Sequence, residues 1–154
     1  MEGLMSTHNL KVIVATALAT ALAGGVGGPA AAGGTHFKGK TAQGPKVTFQ
    51  VKPKSLSGFK TSASVLCVSV VTGRSVMDIY PVLLQSPTKV KKGKFTIVLT
   101  GDDGLNVTVK GKVTGDTARG SLKVRYNKTI GSTSTGLLDI AACLADTTWT
   151  AKAK

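Results

Sequence analysis

Residues 105–126, LNVTVKGKVTGDTARGSLKVRY, restrict the fold more than any other stretch, because their alternation predicts a β-hairpin in one register. Gly115 and Asp116 form the two-residue turn, with glycine first as a type II′ turn prefers. A shift by one residue would bury the charged side chains and expose the valines, so one face of the hairpin must be core. The predicted facing pairs on that face are Val113 with Ala118, Gly111 with Gly120, Val109 with Leu122, Val107 with Val124 and Leu105 with Tyr126.

The opposite face of this hairpin carries cations and no carboxylate. One interpretation is a solvated outer face that keeps the protein soluble and protects strand edges with lysine. The other is a surface that binds an anionic partner, extended by the lysine-rich turn at residues 86–93. The candidate binding residues of the second interpretation are Lys110, Lys112, Arg119, Lys123 and Arg125, with Lys91 and Lys92 from that turn.

The N-terminal segment resembles a secretory signal peptide. An apolar run at residues 12–23 follows Lys11, and small-x-small cleavage sites end at Ala23 and Ala32. A membrane-spanning helix needs about 20 continuous apolar residues. The glycines and the proline of residues 24–29 interrupt the run before that length is reached. We therefore predict a cleaved signal, with an uncleaved anchor as the alternative, and the absence of a cysteine near either site argues against a lipoprotein.

The predicted division is a signal peptide and cleavage region at residues 1–32 and a single domain at 33–154, secreted or extracytoplasmic. The net charge of +13 survives processing, because residues 1–32 contain only Lys11 and Glu2 as charged residues. Such a charge favours anionic partners, among them acidic polysaccharides, cell-wall polymers, anionic lipid surfaces and nucleic acids. Nucleic acid is the weaker candidate, because exported proteins seldom meet it and the chain has few aromatic residues to stack on bases.

The two cysteines of the chain are Cys67 and Cys143. In an oxidising compartment such a pair usually forms one disulfide, and a loop of about 75 residues gives a stabilisation on the order of 4 kcal/mol in the chain-entropy model. Thiol catalysis and metal ligation are the alternatives. Both need partner residues, and His36 is the one histidine that would remain after processing.

The rest of the mature chain alternates in the manner of strands, with no convincing helix after the signal. Roughly eight to ten short strands with Gly-rich turns predict an all-β fold, either an antiparallel sandwich or a small barrel. Pro81 limits the apolar segment 76–84 to an edge strand or a bulge. The facing glycines Gly111 and Gly120 leave a hole, which we expect an aromatic ring such as that of Trp149 to cover. The other predicted strands are 36–41, Lys46–Lys52, 59–71, Lys94–Thr100 and 147–153, with turns or loops at 53–58 and 127–136.

Several of these segments also follow one another in a familiar order. They are FKGKTAQG at residues 37–44, KVTFQV at 46–51, a first cysteine, VKGKVTGDTARGSLKV at 109–124, and a cysteine six residues before WTAK. This arrangement resembles a group of small secreted β-sandwich proteins of actinobacteria and related bacteria. The resemblance implies secretion, an all-β fold and a bridge between Cys67 and Cys143, and it implies no activity.

Nothing in the sequence predicts an enzyme. General acid–base catalysis needs titratable groups within hydrogen-bond reach of one another, and the mature chain would contain one histidine, no glutamate and scattered aspartates. A nucleophile elbow, a metal-ligand spacing and a phosphate-binding glycine loop are all missing, so we predict no cofactor and no metal. The sequence favours a module that binds an anionic extracellular or cell-wall polymer. The alternative is a structural or protein-interaction module of the cell envelope, associating through the apolar segment 76–84.

Overall fold

A computed structural model describes residues 33–154, and the predicted signal peptide at residues 1–32 lies outside this range. The described residues form nine β-strands and no helix, and every strand pairing is antiparallel. The predicted all-β class is therefore confirmed. The strands are β1 (Thr35–Thr41), β2 (Lys46–Lys52), β3 (Ser55–Ser69), β4 (Ser75–Leu83), β5 (Thr88–Lys89), β6 (Lys94–Thr100), β7 (Asn106–Thr114), β8 (Thr117–Ser132) and β9 (Leu138–Ala153).

The strands belong to one sheet with the order β4-β3-β2-β1-β9-β8-β7-β6, and the short β5 pairs with β3. The β1–β2 hairpin is inserted between β3 and β9. Residues 55–60 of β3 pair with β2, whereas residues 66–69 pair directly with β9. Between these two regions the side-chain amide of Gln43 donates to the Ser64 carbonyl (3.0 Å) and accepts from the Ser64 N–H (3.1 Å). Because β3 separates from β9 at this point, β1 lies beside the C-terminal half of β9.

An aromatic cluster fills the core where the sheet folds back over its inner face. Phe49 of β2 and Phe95 of β6 are far apart in the strand order, yet their ring centroids are 6.1 Å apart. The ring of Trp149 lies 5.7 Å from Phe49 and 5.9 Å from Phe95, and each such pair contributes about 0.5–1.5 kcal/mol beyond its buried area. A Cβ added to Gly111 or Gly120 would lie 2.7 Å or 2.6 Å from Trp149 Cζ2. The prediction that Trp149 covers the glycine pair is confirmed.

Two predicted loops differ in the structure. The loop predicted at 127–136 is largely wrong, because β8 continues to Ser132 as a partner of β9, although most residues of this part are polar. The turn predicted at 53–58 is shorter, because β3 begins at Ser55. Gly58 lies within β3 with a φ of 61°, where the register between β2 and β3 shifts as in a β-bulge.

One end of the fold is held by a disulfide and a buried carboxylate. Cys67 and Cys143, cross-strand neighbours on β3 and β9, are joined by a disulfide, so the predicted pairing is confirmed. Nearby, the buried carboxylate of Asp139 accepts hydrogen bonds from Ser69 Oγ and from Thr72 Oγ1 (3.2 Å). Because a buried carboxylate needs such partners, these bonds tie the β3–β4 turn to the start of β9.

β4 lies at the edge of the sheet, as Pro81 predicts. The Leu84 N–H donates to the Phe59 carbonyl (2.8 Å), so these two residues form a hydrogen-bonded pair. Hydrogen-bonded and non-hydrogen-bonded pairs alternate along an antiparallel ladder, and the backbone polar groups of Ile79 and Pro81 therefore point away from β3. Pro81 has no N–H to offer there, and the Ile79 N–H donates to Asp78 Oδ1 (2.8 Å). The open edge is therefore partly closed to pairing with another strand.

Candidate anion-binding face

The β7–β8 hairpin has the predicted register, and the four pairs from Val107 with Val124 to Val113 with Ala118 are confirmed. Gly115 has a φ of 59° and Asp116 a negative φ, as a type II′ turn requires. The outermost predicted pair, involving Leu105, does not form because β7 begins one residue later, at Asn106. The five predicted cations of the other face are all exposed: Lys110, Lys112, Arg119, Lys123 and Arg125.

The structure extends this face with cations from strands that the sequence does not place near the hairpin. Cross-strand neighbours present their side chains on the same side of a sheet. Following the neighbours of Lys112 in both directions gives one line across six strands, which we call the cationic row. Its members are Lys94 of β6, Lys112 of β7, Arg119 of β8, Thr150 of β9, Lys40 of β1 and Lys46 of β2.

A groove of about 760 Å³ lies along the middle of the cationic row. Cations from β1, β7, β8 and β9 line it, together with three threonines and three small residues. The charged side chains are exposed and therefore remain hydrated until a ligand arrives. The lining consists of Lys38, Lys40, Lys112, Arg119 and Lys152, of Thr114, Thr117 and Thr150, and of Gly39, Ala118 and Ala151.

No carboxylate neutralises the groove cations within the described residues. The ion pairs of residues 33–154 are Lys123 with Asp146 (3.0 Å) and Lys128 with Asp78 (2.6 Å). Asp116, in the turn at the hairpin tip, forms no ion pair and does not line the groove. The cations of the groove thus repel one another without compensation, an arrangement that an anionic ligand relieves.

In the structure the five predicted cations of the hairpin do not form one continuous surface. Lys110, Lys112 and Arg119 stay together and line a second, shallower groove beside the first. Lys123 is paired with Asp146 of β9, so the expectation of a carboxylate-free face fails at this position. Arg125 lies next to Leu144 at the far end of the face, about 20 Å along β8 from Arg119 at the usual rise per residue.

Of the two lysines predicted to extend the face from the lysine-rich turn, the structure places one next to the cationic row. Lys91 and Lys94 exchange both backbone hydrogen bonds (2.9 Å each) across a tight turn, so Lys91 lies beside the end of the cationic row. Lys92 and Gly93 occupy the turn itself, with φ values of 49° and 73°. Lys92 is exposed but has no partner in the row.

A polar cluster joins β4 to β8 at the opposite end of the molecule. Asp78 Oδ2 accepts hydrogen bonds from Lys128 Nζ (2.6 Å) and Tyr126 Oη (3.1 Å). The bond from Lys128, helped by those from the Ile79 N–H and Tyr126, lowers the pKa of Asp78 below its usual value. Burial, followed by the hydrogen bond to Asp78, raises the pKa of Tyr126 to about 12. These groups are mutually satisfied and serve the structure of this end.

An exposed apolar face lies on the outer side of β3, β4 and β9 at the same end. Leu66 faces Met77 on one side and Leu144 on the other, and Met77 and Ile79 are 67% and 69% exposed. The predicted interaction segment 76–84 is only partly available, because Val82 and Leu84 are buried and Tyr80 is half-buried. We use the term exposed apolar face for Leu66, Val68, Met77, Ile79 and Leu144.

Other kinds of site have little support in residues 33–154. No three His, Cys, Asp or Glu side chains of this range come together as a metal site would need. The same residues include no helix long and apolar enough to cross a membrane. Neither a protein-family model nor a curated protein sequence matches the chain.

Proposed function

We propose that the protein binds an anionic polymer, an acidic polysaccharide or a cell-wall polymer, through the groove on its cationic face. The observation that carries the proposal is the convergence on one groove of five cations from four strands, none of which forms an ion pair within residues 33–154. β1 is far from β7, β8 and β9 in the sequence, and the fold brings its two lysines next to the cations of those strands. Mutual repulsion makes such clustering unfavourable for the free protein, which favours a role in binding over a role in stability.

Nucleic acid fits this face less well than a polymer without bases. Proteins that bind single strands combine cations with exposed aromatic rings on which bases stack. In residues 33–154 the phenylalanines and the tryptophan are buried, and both tyrosines lie at the end opposite the groove. The groove therefore offers charge and hydroxyl groups but no stacking platform.

We also infer that the chain is exported and that residues 1–32 contain its signal peptide. The apolar run of the sequence supports export, and the disulfide between Cys67 and Cys143 is compatible with an oxidising compartment. A small, partly closed barrel is the architecture that we favour. β5 pairs with β3, and the residues that follow β5 reach Lys91, which pairs with Lys94 of β6. This segment therefore connects the two sides of the sheet, as in a partly closed barrel.

Isothermal titration of heparin into the purified protein at about 0.1 M salt tests the proposal. In the groove variant, Lys40, Lys112 and Arg119 are each changed to Gln. The expected result is a loss of affinity of at least tenfold, because three contacts at a desolvated charged interface are removed. Unchanged affinity, or no binding by the parent protein to heparin or to wall teichoic acid, would contradict the proposal.

A control variant matches the loss of charge. Lys54, Arg74 and Arg125 are exposed, line no part of the groove and form no ion pair within the described residues. Changing all three to Gln removes the same charge from other parts of the surface. Its affinity is expected to stay within about threefold of the parent's, because distant surface charges are screened beyond about 8–10 Å.

A module for protein–protein association is the second candidate, and the exposed apolar face favours it. Because the β4 edge is partly closed, a partner would cover the face rather than extend the sheet. We take self-association as the testable form. Sedimentation equilibrium should then show a dimer that persists in high salt and is lost when Met77 and Leu144 are changed to Ser. A monomer at all salt concentrations would remove this candidate.

A further inference from the structure

The arrangement of charge on the groove face gives the direction in which a bound chain lies. We propose that the site takes a linear acidic polysaccharide whose chain crosses the strands along the cationic row, an inference that rests on the proposed function. A long ligand of this kind needs repeated contacts at regular intervals, and both directions on the sheet can be compared for them.

Along the strands, the positive charge ends quickly. On β9 the outward residues from Lys152 are Thr150, Thr148, Asp146 and Leu144 in that order, so an acid and then an apolar residue follow the cation. On β8 the next cation beyond Ser121 is Lys123, which is already paired. A polyanion lying parallel to β8 would meet Arg119, the paired Lys123 and then Arg125 about 20 Å away, so the unpaired cations are much farther apart than those of the cationic row.

Across the strands, the charge continues. Neighbouring strands are about 4.8 Å apart, so the three steps from Lys112 to Lys40 cover about 14 Å and the five steps from Lys94 to Lys46 about 24 Å along the sheet surface. Five of the six positions in the row are cations. A repeating anion therefore finds a partner on nearly every strand, whereas a compact anion uses only a part of the row.

The remaining side chains of the groove suit a sugar backbone between the charges. Thr150 occupies the position in the row that has no cation, and Thr114 and Thr117 line the groove beside Lys152. Each threonine hydroxyl can both donate and accept a hydrogen bond, as the hydroxyl and ring oxygens of a polysaccharide require.

Size-fractionated heparin oligosaccharides test the direction and the length. Affinity is measured by isothermal titration for a short fragment that spans about 14 Å and a long fragment that spans about 24 Å. The change of Lys46 and Lys94 to Gln is expected to weaken the long fragment about three- to tenfold and to leave the short fragment unaffected. The change of Lys40 and Lys112 to Gln is expected to weaken both.

The matched control removes two cations that follow one another along a single strand, β8, instead of across the strands. Changing Lys123 and Arg125 to Gln is expected to affect neither fragment, and a loss of the long fragment in this variant would overturn the proposed direction. Equal affinity of the parent for both fragments would overturn the extended site while leaving anion binding intact. Absence of binding by every fragment, by intact heparin and by wall teichoic acid would instead overturn the proposed function. Tighter binding of single-stranded DNA of matched length would overturn the polysaccharide.

Discussion

Gly111 gives the sharpest test of the core, because an added methyl group there meets side chains alone. A Cβ at this position would lie 2.6 Å from Phe95 Cε1 and 2.7 Å from Trp149 Cζ2, well inside van der Waals contact. In an open strand, Gly→Ala should stabilise by about 0.4–1 kcal/mol, by restricting the unfolded chain. Overpacking costs about 1–3 kcal/mol. We therefore expect Gly111→Ala to lower the free energy of unfolding by about 0.5–2 kcal/mol.

A double-mutant cycle that combines Gly111→Ala with Phe95→Leu tests whether the Phe95 ring causes this loss. The smaller side chain makes room at Gly111, so the double variant should be more stable than the sum of the single changes by at least about 0.5 kcal/mol. Gly120 is the matched control. A Cβ there meets the backbone oxygen of Lys110 as well as Trp149, and a smaller side chain at position 95 does not relieve the backbone contact, so Gly120→Ala should couple to Phe95→Leu more weakly than Gly111→Ala does.

Urea denaturation followed by the fluorescence of Trp149, the single tryptophan, measures these free energies. A gain of stability in Gly111→Ala would refute the argument, because it would mean that no ring lies over the glycine. Equal coupling of Phe95→Leu to both glycine positions would show that the two positions do not differ as the structure indicates.

The other predictions concern the end of the fold that carries the disulfide. Changing Cys67 and Cys143 to Ser should lower the free energy of unfolding by about 2–5 kcal/mol in urea, and equal stability of the two forms would contradict a structural bridge. Asp139→Asn should cost about 1–3 kcal/mol in thermal denaturation, since a buried acceptor is replaced in part by an N–H donor; an unchanged melting temperature would contradict this. In an ultraviolet titration Tyr126 should ionise with a pKa of about 12, and its contribution to stability should be lost as the pH rises from 10 towards 12. Asp78→Asn should lower the pKa of Tyr126, because the carboxylate that raises it is removed. In the parent protein the pKa of Asp78 is lowered by folding, so its contribution to stability is present above pH 3.8 and is lost as the pH falls through the lower pKa of the folded state. An unchanged Tyr126 titration in the Asp78 variant would argue against their hydrogen bond.

The sequence predicts local features of this fold well, and the hairpin shows why. A period of two fixes which residues of β7 and β8 face inward, and the Gly115–Asp116 turn fixes which residues are opposite, so no tertiary information is needed. The cover of the glycine pair by Trp149 is predictable for a related reason. A hole on the core side needs a large side chain, and the chain has a single tryptophan in a strand-like segment.

Features that depend on pairing between distant strands are not predictable in this way. Residues 127–132 are predicted as a loop because most of them are polar, and the pairing with β9 makes them a strand. The pair of Lys123 with Asp146 depends on the register between β8 and β9, which no turn close in sequence reveals.

The groove depends on the same long-range pairings. Lys38, Lys40 and Lys152 reach it because the β1–β2 hairpin is inserted between β3 and β9. The sequence identified the sign of the charge on the hairpin, and the topology decides which of its cations belong to one site.

The most direct test of the central claim is the salt dependence of heparin binding by the parent and by the groove variant with Lys40, Lys112 and Arg119 changed to Gln. Each neutralised contact contributes somewhat less than one unit to the slope of log K against log salt. The account predicts a steep slope for the parent and a slope smaller in magnitude by about 2–3 for the groove variant, with little change in the charge-matched control. Equal slopes for the parent and the groove variant would show that the groove cations do not contact the polymer, and equal losses in both variants would show that they act only through the overall charge.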